Sequence, residues 1–207
     1  MSWPTDAGPL VAGNLYPKYT TRNPAARLLV ANFIIALRRL VRRTGAREIH
    51  EVGCGEGHLS LRLAAEGWQV RGSDLSPAAI REASGRARAC GLAIPFQVAD
   101  LYELEPARDG APLVLCCEVL EHVPDPERAL AVLAALARPH LIVSVPREPL
   151  WRVLNLARGH YWRDLGNTPG HLQHWSTLAF LDLLQDHLEV LELRTPLPWT
   201  MALCRTR

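Results

Sequence analysis

The stretch "EVGCGEGHLS", Glu51 to Ser60, decides the fold, because three glycines and a cysteine stand between an apolar run and an apolar helical face. Upstream, Glu48-Ile49-His50-Glu51-Val52 reads as a short strand; downstream, Leu59, Leu61 and Leu63 with Ala64 and Ala65 open a helix. The glycines therefore occupy a strand-to-helix turn. Backbone there can approach a ligand closely, and the helix N–H groups point outward.

Working outward, the chain alternates in a regular way after Gly45. Strands are predicted at Glu48 to Val52, Gln69 to Ser73, Ile94 to Ala99, Leu113 to Cys117 and His140 to Val145. Helices are predicted between them at Leu59 to Glu66, Pro77 to Cys90 and Glu127 to Ala137. This alternation implies an α/β fold, a doubly wound parallel sheet whose ligand lies at the carboxyl ends of the strands. A further helix starts at Pro24, where Leu28, Leu29, Phe33, Ile34, Leu37, Leu40 and Val41 recur at helical spacing. The alternation stops at Pro146. Between Arg147 and Trp175 lie Trp151, Trp162, Trp175, Tyr161, His160, His171 and His174, with Gly166 and the pair Pro169-Gly170. A segment this aromatic and this broken reads as a lid or binding loop. A helix at Leu178 to His187 and strands at Glu189 to Thr195 and Trp199 to Arg205 close the chain.

With 207 residues, one domain with a large core is expected. Hydrophobic residues at 48% and charged ones at 21% exclude a disordered or fibrous chain. The net charge of +2 says little about partners. Arg38, Arg39, Arg42 and Arg43 form a modest cluster that reads as a solvated helix face rather than a nucleic-acid footprint. The five cysteines are odd in number and form no CxxC pair, which points to reduced thiols and a cytoplasmic location. Cys116 and Cys117 sit in an apolar strand as structural thiols. Met1-Ser2-Trp3-Pro4 carries no export signal, and Asn32 and Arg38 interrupt the longest apolar helical stretch, so no membrane span is expected.

The glycine turn lacks Gly-Lys-Ser/Thr, which excludes a P-loop. It reads Gly53-Cys54-Gly55-Glu56-Gly57, and the glutamate would repel a pyrophosphate, so a cationic or zwitterionic ligand fits better. The second strand ends in Gly72-Ser73-Asp74, 21 positions beyond the first glycine. A carboxylate there can accept bonds from both ribose hydroxyls, although it could also cap the next helix, a role Ser76 serves better. The third strand ends in Ala99-Asp100-Leu101, with an acid placed for an adenine amino group or for an ordinary loop.

With these three motifs in register, the chain from about Gly45 to Pro146 resembles the class I S-adenosylmethionine-dependent methyltransferases. The resemblance implies a Rossmann-like, mostly parallel seven-stranded sheet completed by an antiparallel final strand. Residues 1–45 would form an N-terminal helical cap, 46–146 the cofactor-binding core, 147–177 a lid-like acceptor segment and 178–207 the closing helix and strands. It assigns Gly53, Cys54, Gly55 and Gly57 to the cofactor turn, Asp74 and Leu75 to the ribose, Asp100 and Leu101 to the adenine, and Glu118 to the floor beneath.

After the fourth strand comes "EVLEHVPDP", Glu118 to Pro126, which looks like the matching stretch of the ubiquinone-pathway O-methyltransferases and related small-molecule enzymes. Glu118, Glu121 and His122 stand at i, i+3 and i+4, so one helical turn would put them on one face. They could supply a base and its partner, or hold a divalent cation. The ExxEH spacing is also similar to the small-RNA 3′-terminal 2′-O-methyltransferases, which bind a metal with it; His171 or His174 would add the last ligand. The candidate catalytic residues are Glu121, His122 and His174; the candidate metal ligands are Glu118, Glu121, His122 and His174, with metal-free chemistry favoured. The expected function is methyl transfer from S-adenosylmethionine to an oxygen or nitrogen of a small, flat metabolite, with Trp151, Tyr161, Trp162 and Trp175 walling its site. The alternatives are a metal-dependent RNA 2′-O-methyltransferase and a cofactor-binding subunit without turnover.

Overall fold

A computed structural model describes residues 23–159 and 161–207. Seven strands form one sheet: β1 (Glu48–Val52), β2 (Gln69–Asp74), β3 (Phe96–Val98), β4 (Ala111–Cys117), β5 (Ala137–Pro146), β6 (Glu189–Arg194) and β7 (Trp199–Arg205). Their order is β3-β2-β1-β4-β5-β7-β6. The first five are parallel, and β7 runs antiparallel to both β5 and β6. This is the doubly wound, mostly parallel seven-stranded sheet that the sequence implies. Strand β3 is shorter than the expected Ile94 to Ala99; Pro95 has no N–H to give to a ladder, and pairing begins only after it.

Among the described residues, seven helices flank the sheet: α1 (Pro24–Thr44), α2 (His58–Ala65), α3 (Pro77–Ala89), α4 (Pro106–Asp109), α5 (Pro126–Leu136), α6 (Leu150–Ala157) and α7 (Thr177–His187). Their starts follow local chemistry. Asn23, Ser76, Asp125 and Ser176 each accept a first-turn N–H of the helix behind them, and proline opens α1, α3 and α5. Helix α1 ends at Gly45, whose φ of 68° closes it in the left-handed region.

Apolar side chains fill both faces of the sheet. Helices α5 and α7 pack Leu130, Leu133, Phe180 and Leu184 on Val114, Leu141 and Val143. Helices α1 and α2 pack Phe33, Leu37, Leu40 and Leu63 on Ile49, Leu115, Ile142 and Met201 from the other side. Burial of a fully covered leucine or phenylalanine contributes about 1.5–3 kcal/mol, so the two layers fix the strand ends in place. The arginine cluster of α1 is tied down: Arg38 and Arg42 pair with Glu66, and Arg43 with Glu192.

Residues 147–177 contain a helix, α6, that the broken composition concealed. The cap expected over 1–45 is described only from Asn23, and His160 lies outside the described residues. No helix among the described residues is long and apolar enough to cross a membrane.

Candidate functional site

Strands β1, β2 and β3 run side by side, so their carboxyl ends bring the glycine turn, Asp74 and Asp100 to one edge. Gly53, Gly55 and Gly57 have φ of 73°, 51° and 76°, values that side chains rarely adopt. Gly53 is bare for a second reason: an added Cβ would stand 2.2 Å from Val119 Cγ2, just past the end of β4. Gly57 opens α2 without a side-chain cap, leaving first-turn N–H groups at the edge.

Asp74 holds this turn together. Its Oδ2 accepts the N–H of Gly55 at 2.8 Å and its Oδ1 the N–H of Ser76 at 2.8 Å. Ser76 caps α3, as the sequence suggests, and Asp74 fixes the approach to that cap. Asp100 accepts the N–H of Tyr102 at 2.9 Å, opening a short turn at Leu101. Leu75 is exposed at the mouth, whereas Leu101 and Cys54 are buried. Burial pushes the Cys54 thiol up beyond any useful ionisation, with Glu51 and Asp74 adding to the effect. Burial likewise raises Glu51 from 4.5 to about 7, against the opposing bond from Ser60.

The acidic and histidine cluster departs from the helical turn expected of it. Glu118 has a φ of 62° and Val119 is non-helical; only Leu120–His122 coil, as one tight turn with three residues per turn. Glu118 therefore leaves the face of Glu121 and His122. Its Oε2 accepts the indole N–H of Trp199 at 2.5 Å. His174 also stands apart, donating from Nε2 to Asn167 Oδ1 at 2.7 Å. Of the candidate ligands, Glu121 and His122 stand together with His171, the alternative to His174, and their ligand atoms lie within 4.8 Å of one another.

His171 reaches the cluster because the insertion folds back onto it. Leu172 and Gln173 donate their N–H groups to Glu121 O, at 2.8 and 3.1 Å. His122 Nδ1 lies 2.9 Å from Gly170 O. A carbonyl only accepts, so Nδ1 carries a proton, and in the neutral ring the lone pair is then on Nε2. The rings of His122 and His171 meet edge to face at 4.9 Å, and Trp151 stacks on His171 at 6.0 Å. Trp151 also touches Trp199, which meets Phe33 of α1 at 5.1 Å. Of the aromatic residues expected to form a wall, Trp151 joins the cluster; Trp162 is exposed, and Trp175 packs on Phe180. Sequence reading missed Trp199, Thr168 and Asn155. The signal for the first was an indole in a buried strand, whose N–H needs a partner.

A separate cavity of about 460 Å³ lies at the amino ends of β1 and β2, between Trp68 and Arg71. It is at the opposite end of the strands from this chemistry.

Residues 49–140 match the family model described as "Methyltransferase domain". The ubiquinone biosynthesis O-methyltransferase of Cupriavidus pinatubonensis is 33% identical over 153 residues, 67% of this chain and 61% of that protein. The chain spans about three fifths of the length of the curated relatives it matches. The magnesium protoporphyrin IX methyltransferase of Synechocystis, solved with bound SAH, superposes with a TM-score of 0.68 at 20% identity, covering 90% of this chain and 89% of that one. The PH0226 protein of Pyrococcus horikoshii superposes with a TM-score of 0.73 at 14% identity, covering 93% and 97%. These two structures share the fold. Residues 49–140 are thus similar to methyltransferase domains, in line with the resemblance that the sequence carries.

Proposed function

We propose, taking the methyltransferase domain at residues 49–140 as the premise, that this chain transfers a methyl group from S-adenosylmethionine to a hydroxyl or amine of a small aromatic metabolite. The observation that carries the reading is one of juxtaposition. A bare glycine turn held by Asp74 and a histidine with its lone pair fixed on Nε2 stand at neighbouring strand ends. Gly53 lies against Val119, three residues before His122 in the chain.

The residues present fit such a cofactor. Gly53, Cys54, Gly55 and Gly57 would hold it at the turn, Asp74 and Leu75 at the ribose, Asp100 and Leu101 at the adenine, with Glu118 below. The cofactor supplies a methyl group already activated on a sulfonium. What the chain must add is alignment, exclusion of water and a place for the acceptor's proton. Trp151 gives a flat surface for an aromatic ring. His122 accepts the proton at Nε2 while Gly170 O holds Nδ1.

A second reading rests on the convergence of Glu121, His122 and His171. One carboxylate and two imidazoles suit zinc, iron or manganese better than calcium. A cation there would lower the acceptor's pKa in place of a base.

The deciding experiment supplies labelled S-adenosylmethionine with phenols, aromatic amines and short RNAs, with and without EDTA. Labelled phenol or amine in both conditions supports the metal-free reading; product lost only with EDTA supports the cation; label in RNA alone, or in nothing while cofactor binds, defeats the proposal.

A further inference from the structure

Helix α6 contributes a buried polar pair to the core that the methyl-transfer reading does not use. Asn155, 1% exposed, donates from Nδ2 to Gly166 O at 2.9 Å and to Thr168 Oγ1 at 3.1 Å. The indole of Trp151, one turn earlier on α6, donates to the same hydroxyl at 2.9 Å. A single threonine hydroxyl thus receives two side-chain donors from α6. Buried polar atoms are costly to leave unpaired, so this three-residue junction holds the loop at a fixed height above the helix.

Thr168 is also the first residue of a reverse turn. His171 returns its N–H to Thr168 O at 3.1 Å, Pro169 sets φ at the second position, and Gly170 has a φ of 86° at the third. This is the pattern of a type II turn, which requires glycine there. The carbonyl of Gly170 leaves the turn toward His122 and takes its Nδ1 proton.

We infer that Thr168 and Asn155 are positioning residues that decide which nitrogen of His122 carries its proton. The inference rests on the methyl-transfer reading for its purpose, but not for its geometry. Without a partner at Nδ1, a neutral imidazole in water favours the proton on Nε2, the nitrogen needed as acceptor. The turn carbonyl reverses that preference, and the α6 junction keeps the carbonyl in place. Gly170 O is the hydrogen-bond partner of His122 Nδ1. A shift of the loop therefore changes the tautomer directly.

Nitrogen-15 NMR of histidine-labelled protein tests this without any acceptor. The His122 signals are assigned by their loss in His122→Gln, and spectra are taken where the imidazole is neutral. The parent should show the proton on Nδ1. Thr168→Val, which keeps the shape and removes the hydroxyl, should move it mainly to Nε2, and Thr168→Ser should restore the parental pattern. Cofactor affinity should stay within about twofold, while methyl transfer falls about tenfold or more. If Thr168→Val does not fold, Asn155→Ala is read in the same way, since it retains the bond from Trp151. A parent protonated on Nε2, or a folded Thr168→Val variant still protonated on Nδ1, overturns the inference. Undiminished methyl transfer by His122→Ala would retire the base reading alone, with the tautomer measurement still deciding the role of Thr168.

Discussion

The glycine turn and the histidine cluster stand at neighbouring strand ends, yet they are assembled on different scales of sequence. The turn is closed by bonds spanning few residues: Asp74 to Gly55 is 19 positions, and Asp74 to Ser76 is two. The cluster depends on bonds of much longer reach, 48 positions from His122 to Gly170 and 81 from Glu118 to Trp199. The first region is set largely by backbone conformation, the second by where distant segments come to rest. A local site should therefore fail through strain, and an assembled one through misplacement.

Breaking the turn should produce the largest effect. Gly53→Ala puts a Cβ 2.2 Å from Val119 Cγ2 at a φ of 73°. Overpacking and the left-handed backbone together should cost about 4 kcal/mol. Chemical denaturation measures the loss, and a variant of parental stability would show that the turn is not rigid.

Asp74→Ala comes next. It removes the bonds to Gly55 and Ser76 and any to a ribose, and should weaken cofactor binding by about 3 kcal/mol. Calorimetry on the folded variant reads this directly; unchanged affinity would end the ribose assignment.

Glu51 separates strain from charge within the same region. Burial raises its pKa from 4.5 to about 7, so the folded state keeps a proton that the unfolded chain releases. Stability from this group is complete below about pH 4.5 and is lost as pH rises through about 7. Glu51→Gln should flatten that decline and leave the protein more stable than the parent at about pH 8, by about 2–3 kcal/mol. Thermal melts from about pH 5 to 8 give the comparison, and parallel curves for the two proteins would contradict it.

The smallest effect is expected in the assembled region. Trp199→Phe keeps the ring packing on Phe33 and Trp151 but removes the donor to Glu118. It should cost about 1.5 kcal/mol in cofactor affinity, through Glu118, with little change in kcat. Equal losses in both would mean that the two regions act as one unit, and the comparison would need to be redrawn.

Much of the first region could be read from the chain alone. The five-residue strand at Glu48–Val52, the caps at Ser76 and Asp125 and the positive φ of the glycines have causes within a few residues of themselves, whereas the approach of Val119 to Gly53 does not. Apolar periodicity placed α1, α2, α3, α5, α7 and the strands, but not α4 or α6, because burying one face is a property of the longer segments. Spacing failed where it assumed regular helix: Glu118, Glu121 and His122 have helical spacing, but the left-handed φ of Glu118 breaks the turn they would share. Nothing near Glu118 in sequence announces that break, since its side chain answers to an indole 81 residues away. The choice of His171 over His174 is similar. Both lie in one short loop, and Thr168, Asn155 and Trp151 settle which of them faces His122. By itself, then, the sequence determined the order of strands and helices and the glycine turn, where hydrogen bonds and dihedral preferences act locally. The tertiary structure alone decided the membership of the histidine cluster and the meeting of His122 with Gly170, because those follow from groups that meet only after distant segments have packed.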